Sequence, residues 1–312
     1  MQYQLSATER RAAFSLAFLF LLRMLGLFMI LPVFMLYAES LPGTTAIMAG
    51  IAVGVYGLTQ AVFQIPFGLA SDRYGRKPML YVGLAVFGVG SIIAAVSTTI
   101  EGIIIGRALQ GTGAISSTVM ALAADLTRDD LRLRVMGIIG MSIGLSFSLS
   151  LVAGPLLNSL VGVPGIFWTT AILAIVGMAV VAWFIPDPVD SRRRRDTQAV
   201  PALIKDVLKD VRLLRLNFSI FVLHMNLTAV FVVLPFLLRD SLDVAPDRHW
   251  MVYGAVIVLA MIATIPMIIY AERKRKLKEV FAAAVALLVV AQIGLWAGQH
   301  TLVWAMIALW LF

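Results

Sequence analysis

Between Val135 and Ile185 the chain carries no charged residue, a run of 51 positions. Each helical residue rises about 1.5 Å and bilayer hydrocarbon is about 30 Å thick, so roughly 20 apolar residues cross it once. A run of that length is two crossings, and the Val-Gly-Val-Pro-Gly at 161–165 is where the chain can turn between them.

The same pattern recurs along the whole sequence. Nine full spans are expected, at 13–37, 47–71, 79–96, 102–126, 135–160, 166–186, 217–238, 250–271 and 280–297, and a tenth begins at 301–312. With 61% of its residues apolar and 13% charged, the chain has far less polar surface than a soluble domain needs. The fold class is therefore an all-α membrane protein.

The basic residues are distributed unevenly. Of 25 lysines and arginines, 21 fall in the N-terminus and in the stretches 71–78, 127–134, 187–215 and 272–279, which all lie on one side of the expected spans. Arg239 and Arg248 lie on the other side, and Arg23 and Arg107 fall inside spans. The positive-inside rule puts the basic loops and the N-terminus in the cytoplasm. The net charge of +8 is thereby explained by contacts with anionic membrane lipids, and no nucleic acid is called for. The chain has no cysteine, which excludes disulfides and thiolate metal sites. No zinc-ligand spacing, serine nucleophile motif or nucleotide loop is present, so no metal, cofactor or enzyme activity is expected. Ser6 and Glu9 have the spacing of a capping box, and the N-terminus reads as a helix start rather than a cleaved leader.

A shift of 200 positions aligns Pro66 with Pro266, Asp72-Arg73 with Glu272-Arg273, and Arg76 with Lys276. Leu31-Pro32 meets Leu234-Pro235 at a slightly different offset. Two pseudo-symmetric six-helix bundles are implied, with an N-terminal half at 1–186, a cytoplasmic linker at 187–216 and a partial C-terminal half at 217–312. A six-plus-six plan needs twelve spans, so the second half is incomplete and the sequence reads as part of a longer protein. The linker holds a basic run at 191–196. Its stretch 201–216 has apolar residues at 203, 204, 207, 208, 211 and 214, the stripe of an amphipathic helix on the inner membrane surface.

Two motifs carry a resemblance. "GLASDRYGRKP" at 68–78 resembles the loop 2–3 signature of the major facilitator superfamily, and "GRALQGTGA" at 106–114 resembles the span-four signature of its drug/proton antiporters. The span-five signature of those antiporters is matched only by the helix-packing pair Gly154-Pro155, since positions 150, 158 and 159 are Ser, Asn and Ser. The resemblance implies a multi-pass transporter of the bacterial inner membrane, acting as a monomer on a small amphipathic solute by alternating access. Proton-coupled efflux, an uncoupled facilitator or importer, and a transport-inactive sensor with the same fold all stay open.

The resemblance also implies site roles. Gly68, Asp72, Arg73, Gly75, Arg76 and Lys77, with Asp125 as partner, form a conformational latch that holds the two halves in the outward-open state, with Asp72 facing the N-terminal end of a second-half helix. Gly68 is expected to let spans two and three approach, and Gly75 to take a positive φ. The corresponding 272–278 stretch keeps no glycine and reads as orientation charge only. Arg107 belongs to the proton-coupling or substrate-orienting set. Arg23 either snorkels to the inner face or joins the same cavity, because a charge in mid-bilayer costs at least about 2.5–3.5 kcal/mol. Gln60, Gln64, Gln110, Asn158 and Asn226 are candidate cavity residues, with Tyr37 and Tyr56 weaker ones. Protons, if carried, would use Asp125 or His224, whose imidazole class ionises near neutral pH; His224 packing against a neighbouring group is the plainer alternative.

Overall fold

The computed structural model describes residues 5–187, 209–297 and 301–311. Helix α1 (Ala7–Phe28) starts at a complete capping box: Glu9 N donates to Ser6 Oγ at 3.2 Å and Ser6 N donates to Glu9 Oε2 at 2.9 Å. The first span is not one helix. It breaks at Met29-Ile30 and continues as α2 (Leu31–Glu39), because Pro32 has no N–H and its ring collides with the carbonyl four residues back.

Helices α3 (Ala46–Tyr74) and α4 (Arg76–Val96) are joined through Gly75 alone, at φ 99°. The fourth span also departs from a single helix: α5 (Ile100–Thr112) and α6 (Ser116–Asp125) are separated by non-helical backbone at 113–115. α5 crosses α4 with the two backbones in contact. A Cβ on Gly90 would stand 2.7 Å from the Gly106 carbonyl oxygen, so only glycine fits.

Spans five and six form the continuous element α7 (Arg132–Trp183), interrupted at Gly162 with φ 70°. The chain reverses there. Leu25 meets Ser150 and the Met29 carbonyl meets Gly154, so 132–161 runs alongside α1; Gly26 meets Thr170 and Arg11 meets Trp183, so 163–183 runs back.

The second half contributes α8 (Val211–Phe236), α9 (His249–Lys274), α10 (Leu277–Ala297) and α11 (Leu302–Leu311). Asp210 caps α8, its carboxylate accepting from Arg212 N at 2.8 Å and Leu213 N at 3.4 Å. Residues 211–216, expected in a separate surface helix, therefore belong to the span-seven helix; 201–208 and the basic run 191–196 lie outside the described residues.

Among the described residues, seven helical stretches are long and apolar enough to cross a membrane. Counting α7 as two and the broken fourth span as one gives the nine expected crossings. The halves meet in an aromatic ladder, Phe28–Phe147–Phe231–Tyr253, with centroid separations of 5.2, 6.0 and 6.3 Å. At the end away from the basic loops, Arg239 Nη1 bonds Glu39 Oε2 across the halves at 2.7 Å.

The two corresponding turns differ in backbone geometry. Gly75 has φ 99° and ψ 151°, a conformation open to glycine. Arg275, 200 positions on, is left-handed at φ 53° and ψ 34°, which costs a side-chain-bearing residue about 1–2 kcal/mol.

Candidate functional site: a cavity between the halves and a charge cluster at the basic end

A cavity of about 390 Å³ opens between the halves. Its first-half wall comes from α1 to α3 and α5, through Phe28, Leu31, Tyr56, Gln60, Gln64 and Arg107 among others; α8 supplies the opposite wall with His224, Leu227 and Thr228. Gln60 and Gln64 fall one turn apart on α3, which puts both amides on the face that Gly57 leaves open. His224 Nδ1 lies 2.9 Å from the Ile220 carbonyl of its own helix.

Arg107 is 2% exposed. Its Nε donates to Ala52 O at 3.3 Å, its Nη1 donates to Gln110 Oε1 at 3.0 Å, and its guanidinium sits 4.8 Å above the Tyr56 ring. Gln110 does not line the cavity. It is fully buried behind Arg107 and donates through Nε2 to Ser91 Oγ at 2.7 Å, and Ser91 donates onward to Phe87 O. The expectation that Gln110 touches the cavity is thus corrected to one of support: it aims the guanidinium.

Arg23 takes neither course expected of it. It neither snorkels nor lines the cavity; it is 2% exposed inside the first half. Its Nη2 donates to Gly113 O at 3.1 Å and its Nη1 to Ser116 Oγ at 3.3 Å, across the break in the fourth span. A broken helix frees carbonyls that lipid cannot hydrate, and Arg23 answers one of them. The two arginines flank one aromatic pair: Arg23 stands 5.6 Å from the Phe87 centroid, and Phe87 meets Tyr56 edge-on at 6.5 Å.

Other polar candidates fall elsewhere. Asn226 lines a separate pocket of about 330 Å³ and accepts from Gln292 Nε2 at 3.0 Å. Tyr37 and Asn158 line a third, of about 190 Å³, beside the buried His249. Polarity within a span does not reveal which helix face carries it, so these residues could not be separated from Gln60 and Gln64 by sequence.

At the basic end, Arg76 forms ion pairs with Asp72, one turn away, and with Asp125 Oδ2 at 3.0 Å; its Nη1 also donates to Ser71 Oγ at 2.6 Å. The Arg76 and Asp125 side chains are each 5% exposed and Asp72 is 16% exposed, so water screens these pairs weakly. Gly68 faces Ser117 of α6 and not span three, at ordinary contact distance for an added Cβ. Lys77 pairs with the exposed Asp187 at 2.7 Å, and Arg73 lies over the Tyr74 ring. Gly154 and Pro155 are buried on α7, with Gly154 against the Met29 carbonyl. A further tie had no sequence signal: Glu9 accepts from Arg128 N and Nε at 3.1 and 3.0 Å, and this bond raises the Arg128 guanidinium above its ordinary pKa.

The architecture is that of a helical transporter fold, with two bundles facing a shared cavity. Residues 16–312 match the family model of the Major Facilitator Superfamily, and the chain belongs to that family. The inner membrane transport protein YajR of Escherichia coli strain K12 is 49% identical over 297 residues, which cover 95% of this chain and 65% of YajR. An uncharacterized transporter of Buchnera aphidicola from Acyrthosiphon pisum is 34% identical over 306 residues, covering 97% of this chain and 78% of that protein. The chain thus spans just under two thirds of YajR and over three quarters of the Buchnera protein. In fold, a bacterial homologue of the human lysosomal transporter Spinster superposes with a TM-score of 0.71 at 12% identity, covering 99% of this chain and 74% of that one.

Proposed function

We propose that this protein is a secondary active transporter of the bacterial inner membrane, moving a small amphipathic solute by alternating access of its two halves. The observation that carries this is the cavity walled by α1, α2, α3 and α5 on one side and α8 on the other. A site shared by two bundles changes its exposure when one bundle rocks against the other. The relatives named as transporters support the class.

In this proposal the domain plan is a first half at 1–186, a linker at 187–216 and a second half from 217, with the N-terminus and basic loops in the cytoplasm and the monomer as the working unit. Asp72, Arg76 and Asp125 act as the latch. Their buried ion pairs tie α3 and α4 to α6, so the basic end of the first half moves as one body. Asp72→Asn should abolish transport while leaving membrane insertion intact.

Proton coupling would run through His224, which lines the cavity. An uncoupled facilitator is the second reading, favoured because the lining residues include no carboxylate. The test is the intact protein in proteoliposomes under an imposed pH gradient, with naphthalene solutes bearing a carboxylate, an amide or an ammonium group. Uptake tied to proton flux supports antiport, uptake without it supports the facilitator, and no uptake of any solute contradicts transport.

A further inference from the structure

We propose that Arg107 and Tyr56 form a subsite for an anionic head group, so that the cavity takes an amphipathic organic anion of the carboxylate class. This rests on the cavity being the transport site, and it adds the charge of the solute.

Three observations converge. The Arg107 guanidinium borders the cavity with no carboxylate beside it among the lining residues. Its Nε and Nη1 are engaged, while among the described residues Nη2 carries no hydrogen bond. The Tyr56 hydroxyl is buried and has no partner, although Tyr56 is only 3% exposed and lines the same cavity.

Each of these is costly alone. A buried hydroxyl without a partner loses its hydration with nothing in return, and a guanidinium held in the membrane without a counter-charge does the same. One carboxylate placed between Nη2 and the phenol satisfies both. A neutral acceptor would meet the hydrogen bonds and leave the charge, and an ammonium group would add to it. Charge-assisted bonds are also roughly twice as strong as neutral ones.

The site is preorganised. Gln110 has its amide oxygen turned to Arg107 because its nitrogen is committed to Ser91, which fixes the guanidinium before any ligand arrives. Around the remaining wall, Leu27, Phe28, Leu31, Val53 and Leu227 offer apolar surface for the body of the solute. A volume of about 390 Å³ accommodates a bicyclic aromatic body.

The experiment is equilibrium binding of 2-naphthoate, 2-naphthamide and 2-naphthylmethylammonium to the intact protein in lipid nanodiscs. The carboxylate should bind at least tenfold more tightly than the amide. Arg107→Gln should abolish that preference and Arg107→Lys should retain part of it. Tyr56→Phe keeps the ring under the guanidinium, and should weaken naphthoate about fivefold while leaving the amide within twofold.

Equal binding of carboxylate and amide, stronger binding of the ammonium probe, a preference that persists in Arg107→Gln, or no binding of any probe would each overturn the proposal. The two readings fail separately. An ammonium probe that loses affinity in Gln60→Ala and His224→Ala keeps the cavity and removes the anion. A carboxylate preference set by Arg107 and Tyr56, without uptake in proteoliposomes, keeps the anion subsite and removes transport.

Discussion

The two flanks of the fourth span contain the same residue in opposite service. Arg23 and Arg107 are each 2% exposed, each lies over one ring of the Phe87–Tyr56 pair, and neither meets a carboxylate among the described residues. Their donors go to different places. Arg23 spends two on the backbone break at Gly113 and on Ser116, inside the bundle. Arg107 is held from behind by Ala52 and Gln110 and faces the cavity. A buried charge in a membrane protein therefore marks function only when its free side opens on a space that something can enter; otherwise it repairs the backbone.

Arg76 sets the upper end of the scale for this comparison, being the buried arginine that does have carboxylate partners. Arg76→Ala leaves Asp72 and Asp125 without their shared cation in weakly screened surroundings. Removing one partner of a buried pair costs about 3–5 kcal/mol, so this variant should show the largest fall in thermal midpoint in nanodiscs.

Next comes Arg23→Met, which keeps the apolar stem and removes the guanidinium bonds to the Gly113 carbonyl and the Ser116 hydroxyl, while Gly113 O still accepts from Ile115 N at 2.9 Å. A loss of about 1–3 kcal/mol is expected from the lost charge-assisted bonds, measured by thermal unfolding, with the charge preference of the cavity unchanged. Arg107→Gln should give the converse at the cavity, a lost charge preference, because its guanidinium faces that space. If Arg23→Met altered ligand charge preference while leaving stability intact, the distinction between the two flanks would be broken.

The smallest effect is expected at the exposed pair between the halves. Glu39→Gln should change stability by less than about 1 kcal/mol, and that change should shrink further in high salt.

Much of this molecule was legible before its structure. Charge-free runs of sufficient length gave the spans, and the uneven arginines and lysines gave a common side for the loops. The resemblance of 68–78 and 106–114 directed attention to Asp72, Arg76, Asp125 and Arg107. The breaks were harder. Pro32 signals one in the first span and Gly113 permits one at 113–115, whereas the arrival of Arg23 at that gap from another helix is a tertiary contact that no local pattern carries. For the same reason an apolar run with one arginine looks identical whether that arginine finds backbone or a cavity. The positive φ at Arg275 was hidden as well, since arginine carries no local signal for a left-handed conformation. Asn226 and Asn158 were grouped with Gln60 because composition marks polarity but not the wall that polarity faces.

The chain has no native cysteine, which allows a clean test of the central claim that solute sits against the Arg107 wall of the cavity. Gln64→Cys should react with a water-soluble maleimide, 2-naphthoate should slow that reaction, and the protection should disappear when Arg107→Gln is added while Arg23→Met leaves it in place. Labelling that 2-naphthoate does not slow, or protection that survives Arg107→Gln, would contradict the account.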